Sequence, residues 1–132
     1  MRRILRSTNA PTFDLSPISQ GVETDELVFV VGMAVDEKTG TRMREAVTIE
    51  DETRIALEAI GTVLAEAGCS LEDVVKTTVY LAERAYYDGM NHIYCQFWPK
   101  GHEPVRCSLF VGIGADCRVE IDAVAAKPHN RD

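Results

Sequence analysis

The chain of 132 residues predicts an α+β fold, with two helices packed on one face of a mixed β-sheet. Two observations carry that expectation. The first is the order of periodicities: strand-like apolar runs, a helical stripe, a strand, a second helical stripe, then two more strands. The second is the segment LVFVVGMA at residues 27–34, apolar at both alternating positions. A strand with that pattern is usually covered on both sides. So short a chain has too few helices to cover both faces of a sheet, and a partner subunit is the economical cover.

The elements follow in order. Residues 2–7 read as a short first strand, residues 9–16 with Pro11 and Pro17 as a loop, and residues 19–22 as a second strand. After the strand at 27–34, Asp36-Glu37-Lys38-Thr39-Gly40 reads as a turn, with glycine supplying the permissive backbone. Thr48 followed by Asp51 marks a helix start, because a threonine hydroxyl and a third-position carboxylate can each satisfy a free backbone N–H. Ile49, Ala56, Leu57, Ile60, Leu64 and Ala67 then keep one stripe, and Glu50, Glu52, Arg54, Glu58 and Glu66 are expected on the other side. Gly68 is a natural stop. Residues 74–81 (VVKTTVYL) are rich in β-branched side chains and read as a strand. A second helix is expected from about 84 to 97, ended by Pro99, with Tyr87, Met90, Ile93, Tyr94 and Phe97 at helical spacing. Residues 105–111 and 117–126 complete the strands.

Composition narrows the function. Residues 1–132 read as one domain, with a hydrophobic content of 45% and a charged content of 27%, both globular values. A net charge of −7 argues against a nucleic-acid partner, which needs a basic footprint. Cys69, Cys95, Cys107 and Cys117 form no CxxC pair and have no metal-ligand spacing with His92, His102 or His129, so neither zinc nor a disulfide framework is expected. Gly112 and Gly114 are too sparse for a phosphate loop, and no cofactor is expected. With no signal peptide or long apolar run, a cytoplasmic protein without membrane partners is expected.

The candidate chemistry lies in Pro104-Val105-Arg106-Cys107-Ser108 and, further on, Val119-Glu120-Ile121-Asp122. A guanidinium held by a strand can take a carboxylate through two parallel hydrogen bonds. A glutamate near it could orient or deprotonate a water. Two plainer readings stay open: Arg106 and Glu120 as a cross-strand ion pair, and Glu120 with Arg118 and Asp122 as a solvated charged face. Cys107 reads either as a thiol activated by Arg106 or as a small buried hydrophobe. His92 has no serine or cysteine partner that would make a triad.

The ordering P-x-R, then V-E-I-[ED]-x-x-A, resembles the Rid (YjgF-type) family of reactive-intermediate deaminases. The likeness extends through Gln20-Gly21-Val22, Phe29-Val30-Val31-Gly32, Lys38-Thr39-Gly40, the run from Ala67 to Lys76, Met90-Asn91-His92-Ile93-Tyr94 and Phe97-Trp98-Pro99. The resemblance implies a chorismate-mutase-like fold assembled as a homotrimer, with ligand clefts between subunits. It also implies hydrolysis of imines or enamines such as 2-aminoacrylate or 2-iminobutyrate to 2-keto acids and ammonia. Carried over by position, Arg106 would clamp the substrate carboxylate and Glu120 would hold the attacking water. Gly32, Asn91 and the backbone near Cys107 would complete the pocket, with no metal. A protonated imine is already electrophilic, so positioning and charge stabilisation are most of what such a site must supply.

This chain departs from the family pattern at several places. Ile18 stands where tyrosine is common, Val31 where serine is, Met33 where glutamine is, and Ser108 where a cysteine follows the arginine by two. Ile113-Gly114 replaces a leucine-proline turn in a loop one residue shorter. These changes make the cleft more apolar. They imply either a ligand with a larger hydrophobic portion or a non-catalytic, carboxylate-binding or regulatory trimer of the same fold. Endoribonuclease activity, also attached to the family, is disfavoured by the acidic chain.

Overall fold

A computed structural model describes residues 1–129. The first helix, α1 (Ile49–Ala65), starts where the sequence places it. The Thr48 hydroxyl accepts from the Asp51 amide at 3.0 Å, and the Asp51 carboxylate accepts from the Thr48 amide at 3.2 Å. Glu50, Asp51 and Glu52 in the first turn also suit the positive end of the helix dipole. Beyond its end, Gly68 takes φ +71° and Cys69 donates to the Leu64 carbonyl at 3.0 Å, a glycine-assisted termination. One stripe of α1, with Ala56, Leu57, Ile60, Val63 and Leu64, is buried.

Six strands form one sheet in the order β1-β2-β3-β6-β4-β5: β1 (Arg3–Leu5), β2 (Gly21–Glu23), β3 (Leu27–Gly32), β4 (Val74–Leu81), β5 (Val105–Phe110) and β6 (Val119–Ala126). Neighbours are antiparallel except β4 and β5, whose parallel connection runs through α2 (Tyr87–Tyr94). Both helices pack on one face, as expected. The second helix is shorter than the periodicity predicts: a 3-10 turn at Arg84–Tyr86 precedes it, and α2 stops at Tyr94. Trp98 explains the early end, because its indole donates to the Leu71 carbonyl at 2.8 Å and draws the chain down into the core.

Alternation sorts the sheet into two faces. On β6, Val119, Ile121, Ala123 and Ala125 are buried towards the helices, while Glu120, Asp122 and Val124 point the other way. The open face carries a row running Ile4, Val22, Phe29, Val124, Lys76 and Val105 across the sheet. Phe29, Leu109, Ile4 and Val105 are exposed on it. The helices therefore cover one side of β3 and leave the other uncovered within a single chain.

Two details correct the sequence reading. β5 and β6 are not neighbours, because β6 inserts between β3 and β4. Arg106 and Glu120 therefore cannot form a cross-strand ion pair. Glu52, expected on the solvated side of α1, is completely buried. Its carboxylate accepts from the amides of Arg118 and Val119 at 2.7 and 3.1 Å and from Nε of Arg118 at 2.7 Å. Arg118 also donates to the carbonyls of Ala46 and Val47, so it belongs to this brace and not to a solvated face shared with Glu120. Among the described residues, no helix is long and apolar enough to cross a membrane.

Candidate active site

Arg106 lies opposite Thr77 on β4 and turns towards the helices. Tyr87, Asn91 and Tyr94 fall at successive turns of α2 and meet it there. Nη1 of Arg106 donates to Oδ1 of Asn91 at 2.6 Å, and Nη2 donates to the Tyr87 hydroxyl at 3.1 Å. The guanidinium carbon lies 4.7 Å from the Tyr94 ring centre and 5.8 Å from that of Tyr87, within the range of cation–π attraction. The Tyr94 hydroxyl is fixed in turn by Thr77 at 2.7 Å. Burial pushes the Tyr94 phenol up, while the hydrogen bond to Asn91 and then the charge of Arg106 pull the Tyr87 phenol down. These hydrogen-bonding and stacking groups are all neutral. Arg106 is thus a part-buried cation, oriented and supported but given no carboxylate by these neighbours.

Glu120 faces the other way. It sits opposite Tyr80 on β4 and forms part of the wall of a cavity of about 190 Å³. The loop before β2 supplies Phe13, Leu15 and Ile18; Met33 and Val35 follow β3; Gly114 and Ala115 come from the loop before β6. That last loop holds Ala115 at φ 61° and Asp116 at φ 56°, a left-handed conformation that costs residues with a Cβ about 1–2 kcal/mol each. Burial, followed by the nearby Asp122 charge, raises the Glu120 carboxyl above the usual range. Asp122 itself accepts from the Tyr80 hydroxyl at 2.9 Å.

Arg106 and Glu120 therefore stand on opposite faces of one sheet with β4 between them. The remaining residues singled out in the sequence divide the same way. Asn91 joins Arg106, and Ser108 shares its face, lining a groove with Arg84, Tyr87 and Phe110. Cys107 alternates to the open face and is exposed in the single chain, so its own subunit does not bury it. Gly32 is buried against α1, where an added Cβ would collide with the Ala56 carbonyl oxygen. Close helix–strand packing alone accounts for that glycine, although Met33, which follows it, reaches the cavity.

Three features escaped the sequence reading. The tyrosine socket of Arg106 was visible only as an apolar stripe, though the spacing of Tyr87, Asn91 and Tyr94 was its signal. The apolar loop residues Phe13 and Leu15 gave no periodic signal at all. The Glu52 brace, which fixes the start of β6 at Val119, the residue before Glu120, had no local signal either.

Fold and site define a small α+β protein with a cation socket on the helix face of its sheet and, on the other, a largely apolar cavity bordered by Glu120. The chain belongs to the YjgF/Rid family; the matching family model, described as Endoribonuclease L-PSP, spans residues 8–127. A RutC family protein of Pyrococcus horikoshii is 34% identical over 129 residues, covering 96% of this chain and 99% of the relative. The human 2-iminobutanoate/2-iminopropanoate deaminase is 34% identical over 127 residues, covering 95% of this chain and 90% of its own. Among solved structures, Escherichia coli TdcF with bound serine superposes with a TM-score of 0.82 at 26% identity, covering 96% of this chain and 99% of that one.

Proposed function

We propose that this protein hydrolyses a carboxylate-bearing imine or enamine, of the 2-aminoacrylate or 2-iminobutyrate type, to a 2-keto acid and ammonia, and that it works as a homotrimer. The observation that carries the reading is Arg106: a part-buried guanidinium held by Asn91, Tyr87 and Tyr94, all neutral. Holding a cation in place without neutralising it leaves its charge for an anionic ligand. The human relative's name supports an imine substrate, and the serine bound to TdcF is a small amino acid carrying the same carboxylate.

In this reading the substrate carboxylate binds Arg106, which fixes the imine carbon beside Glu120. Glu120 accepts a proton from water as the oxygen bonds to that carbon of the protonated imine, giving a carbinolamine. Glu120 returns that proton to nitrogen, the C–N bond breaks and ammonia leaves, and the hydroxyl proton passes to Glu120 as the carbonyl forms. A carboxyl raised above its ordinary value is a stronger base towards water and keeps more of its acid form for returning the proton. Since one chain keeps Arg106 and Glu120 on opposite faces, the site needs Arg106 from one subunit and Glu120 from another. The uncovered apolar face of the sheet supports such an assembly.

The test is to generate imino acids in situ with an amino-acid oxidase and trap them with semicarbazide. Hydrolysis by the protein lowers semicarbazone formation. Loss of that effect in Arg106→Ala supports the clamp, and its survival contradicts it. Binding of keto acids without turnover of any imine would favour the non-catalytic alternative.

A further inference from the structure

We propose that the cavity beside Glu120 selects 2-imino acids with a bulky apolar side chain. The proposal rests on the deaminase reading above and concerns what that site prefers. Once the substrate carboxylate is on Arg106 and its imine carbon is at Glu120, the side chain is left to fill the space that Glu120 borders. That space has walls of Phe13, Leu15, Ile18, Met33 and Val35. Its volume is about 190 Å³, more than the roughly 150 Å³ that lets an apolar cavity hold benzene. A methyl or ethyl group leaves most of it empty.

Thr12, Asp36 and Glu37 of the same wall are already engaged. The Glu37 carboxylate accepts from the Thr12 hydroxyl at 2.9 Å, and Asp36 accepts from the amides of Lys38 and Thr39 at 2.8 and 3.2 Å. Both acids hold the loop together, and with Glu120 they set a negative potential that disfavours an anionic side chain. Leu15 and Ile18 are 63% and 55% exposed, so a ligand side chain would take apolar surface out of water. Each buried methylene adds about fourfold in binding.

The test measures hydrolysis of imines derived from alanine, leucine, methionine, phenylalanine, glutamate and lysine by the native assembly, with semicarbazide trapping. The leucine and methionine imines should exceed the alanine imine in kcat/KM by roughly tenfold or more. The double variant Ile18→Tyr and Met33→Gln should shrink that ratio. If the variant does not fold, the ratio for the unaltered protein decides alone. Equal rates, or preference for the alanine, glutamate or lysine imine, would overturn the selectivity while leaving the deaminase reading intact. That result is also the one expected if a partner subunit fills the cavity. Hydrolysis of none of the six would overturn both.

Discussion

Arg106 and Glu120 are the two residues on which the proposed chemistry rests, and their surroundings make separate predictions. Arg106→Lys keeps a positive charge but loses the two-pronged geometry and the stacking on Tyr94. Its kcat/KM should fall roughly 10- to 100-fold, the worth of a hydrogen bond to a charged group, in steady-state imine hydrolysis. Glu120 predicts a pH effect. Its carboxyl is raised by burial and by Asp122, so the basic carboxylate is lost on acidification at a higher pH than for an ordinary glutamate. The acid limb of the kcat/KM profile should lie above the usual value of 4.5. Asp122→Asn, which keeps an acceptor for Tyr80, should move that limb to lower pH. At this scale the sequence pointed to both residues but not to their setting. A strand motif shows which side chain carries the charge, whereas its partners on α2 lie 12–19 residues away in the chain and meet it only after the β4–β5 crossover forms.

At the scale of the elements, local chemistry was legible and long-range placement was not. The Thr48–Asp51 capping box and the Gly68 stop depend only on neighbours in sequence. The insertion of β6 between β3 and β4 depends on the whole topology, and strand order along the chain does not reveal it. Glu52 shows the same limit: a carboxylate in an amphipathic pattern reads as solvated until the Arg118 and Val119 amides arrive at the start of β6. Glu52→Ala strands those donors and should cost about 3–5 kcal/mol in chemical denaturation, as removing one partner of a buried ion pair does. Gly32→Ala places a Cβ against the Ala56 carbonyl and should cost about 1–3 kcal/mol through displacement of α1 from β3.

The sheet edge makes a pH prediction of its own. Glu23 accepts from Nε of Arg3 at 2.8 Å and from Lys127 at 2.6 Å, tying β1 and β2 to the residue after β6. The Lys127 hydrogen bond, with that of Arg3, lowers the Glu23 carboxyl below its ordinary value. A depressed folded-state pKa gives stability that is present above the ordinary value and lost as pH falls through the depressed one. Melting temperature measured from pH 6 downward should therefore fall more shallowly for Glu23→Gln than for the native chain.

For the whole molecule, the sequence was most informative where a pattern implied something missing. A strand apolar on both faces in a chain with two helices called for a second covering layer, and the structure leaves Phe29, Val105 and Leu109 exposed on that face. The same open face carries Glu120, while Arg106 faces the helices, so the proposed assembly and the proposed catalysis are one question. Mixed trimers answer it. Arg106→Ala and Glu120→Gln chains, each inactive alone, are unfolded together, refolded, and assayed for imine hydrolysis. If each site takes Arg106 from one subunit and Glu120 from the next, random mixing at equal amounts restores about a quarter of native activity, because one subunit pairing in four unites the two intact residues. Refolded mixtures that form trimers yet stay inactive would contradict a shared site.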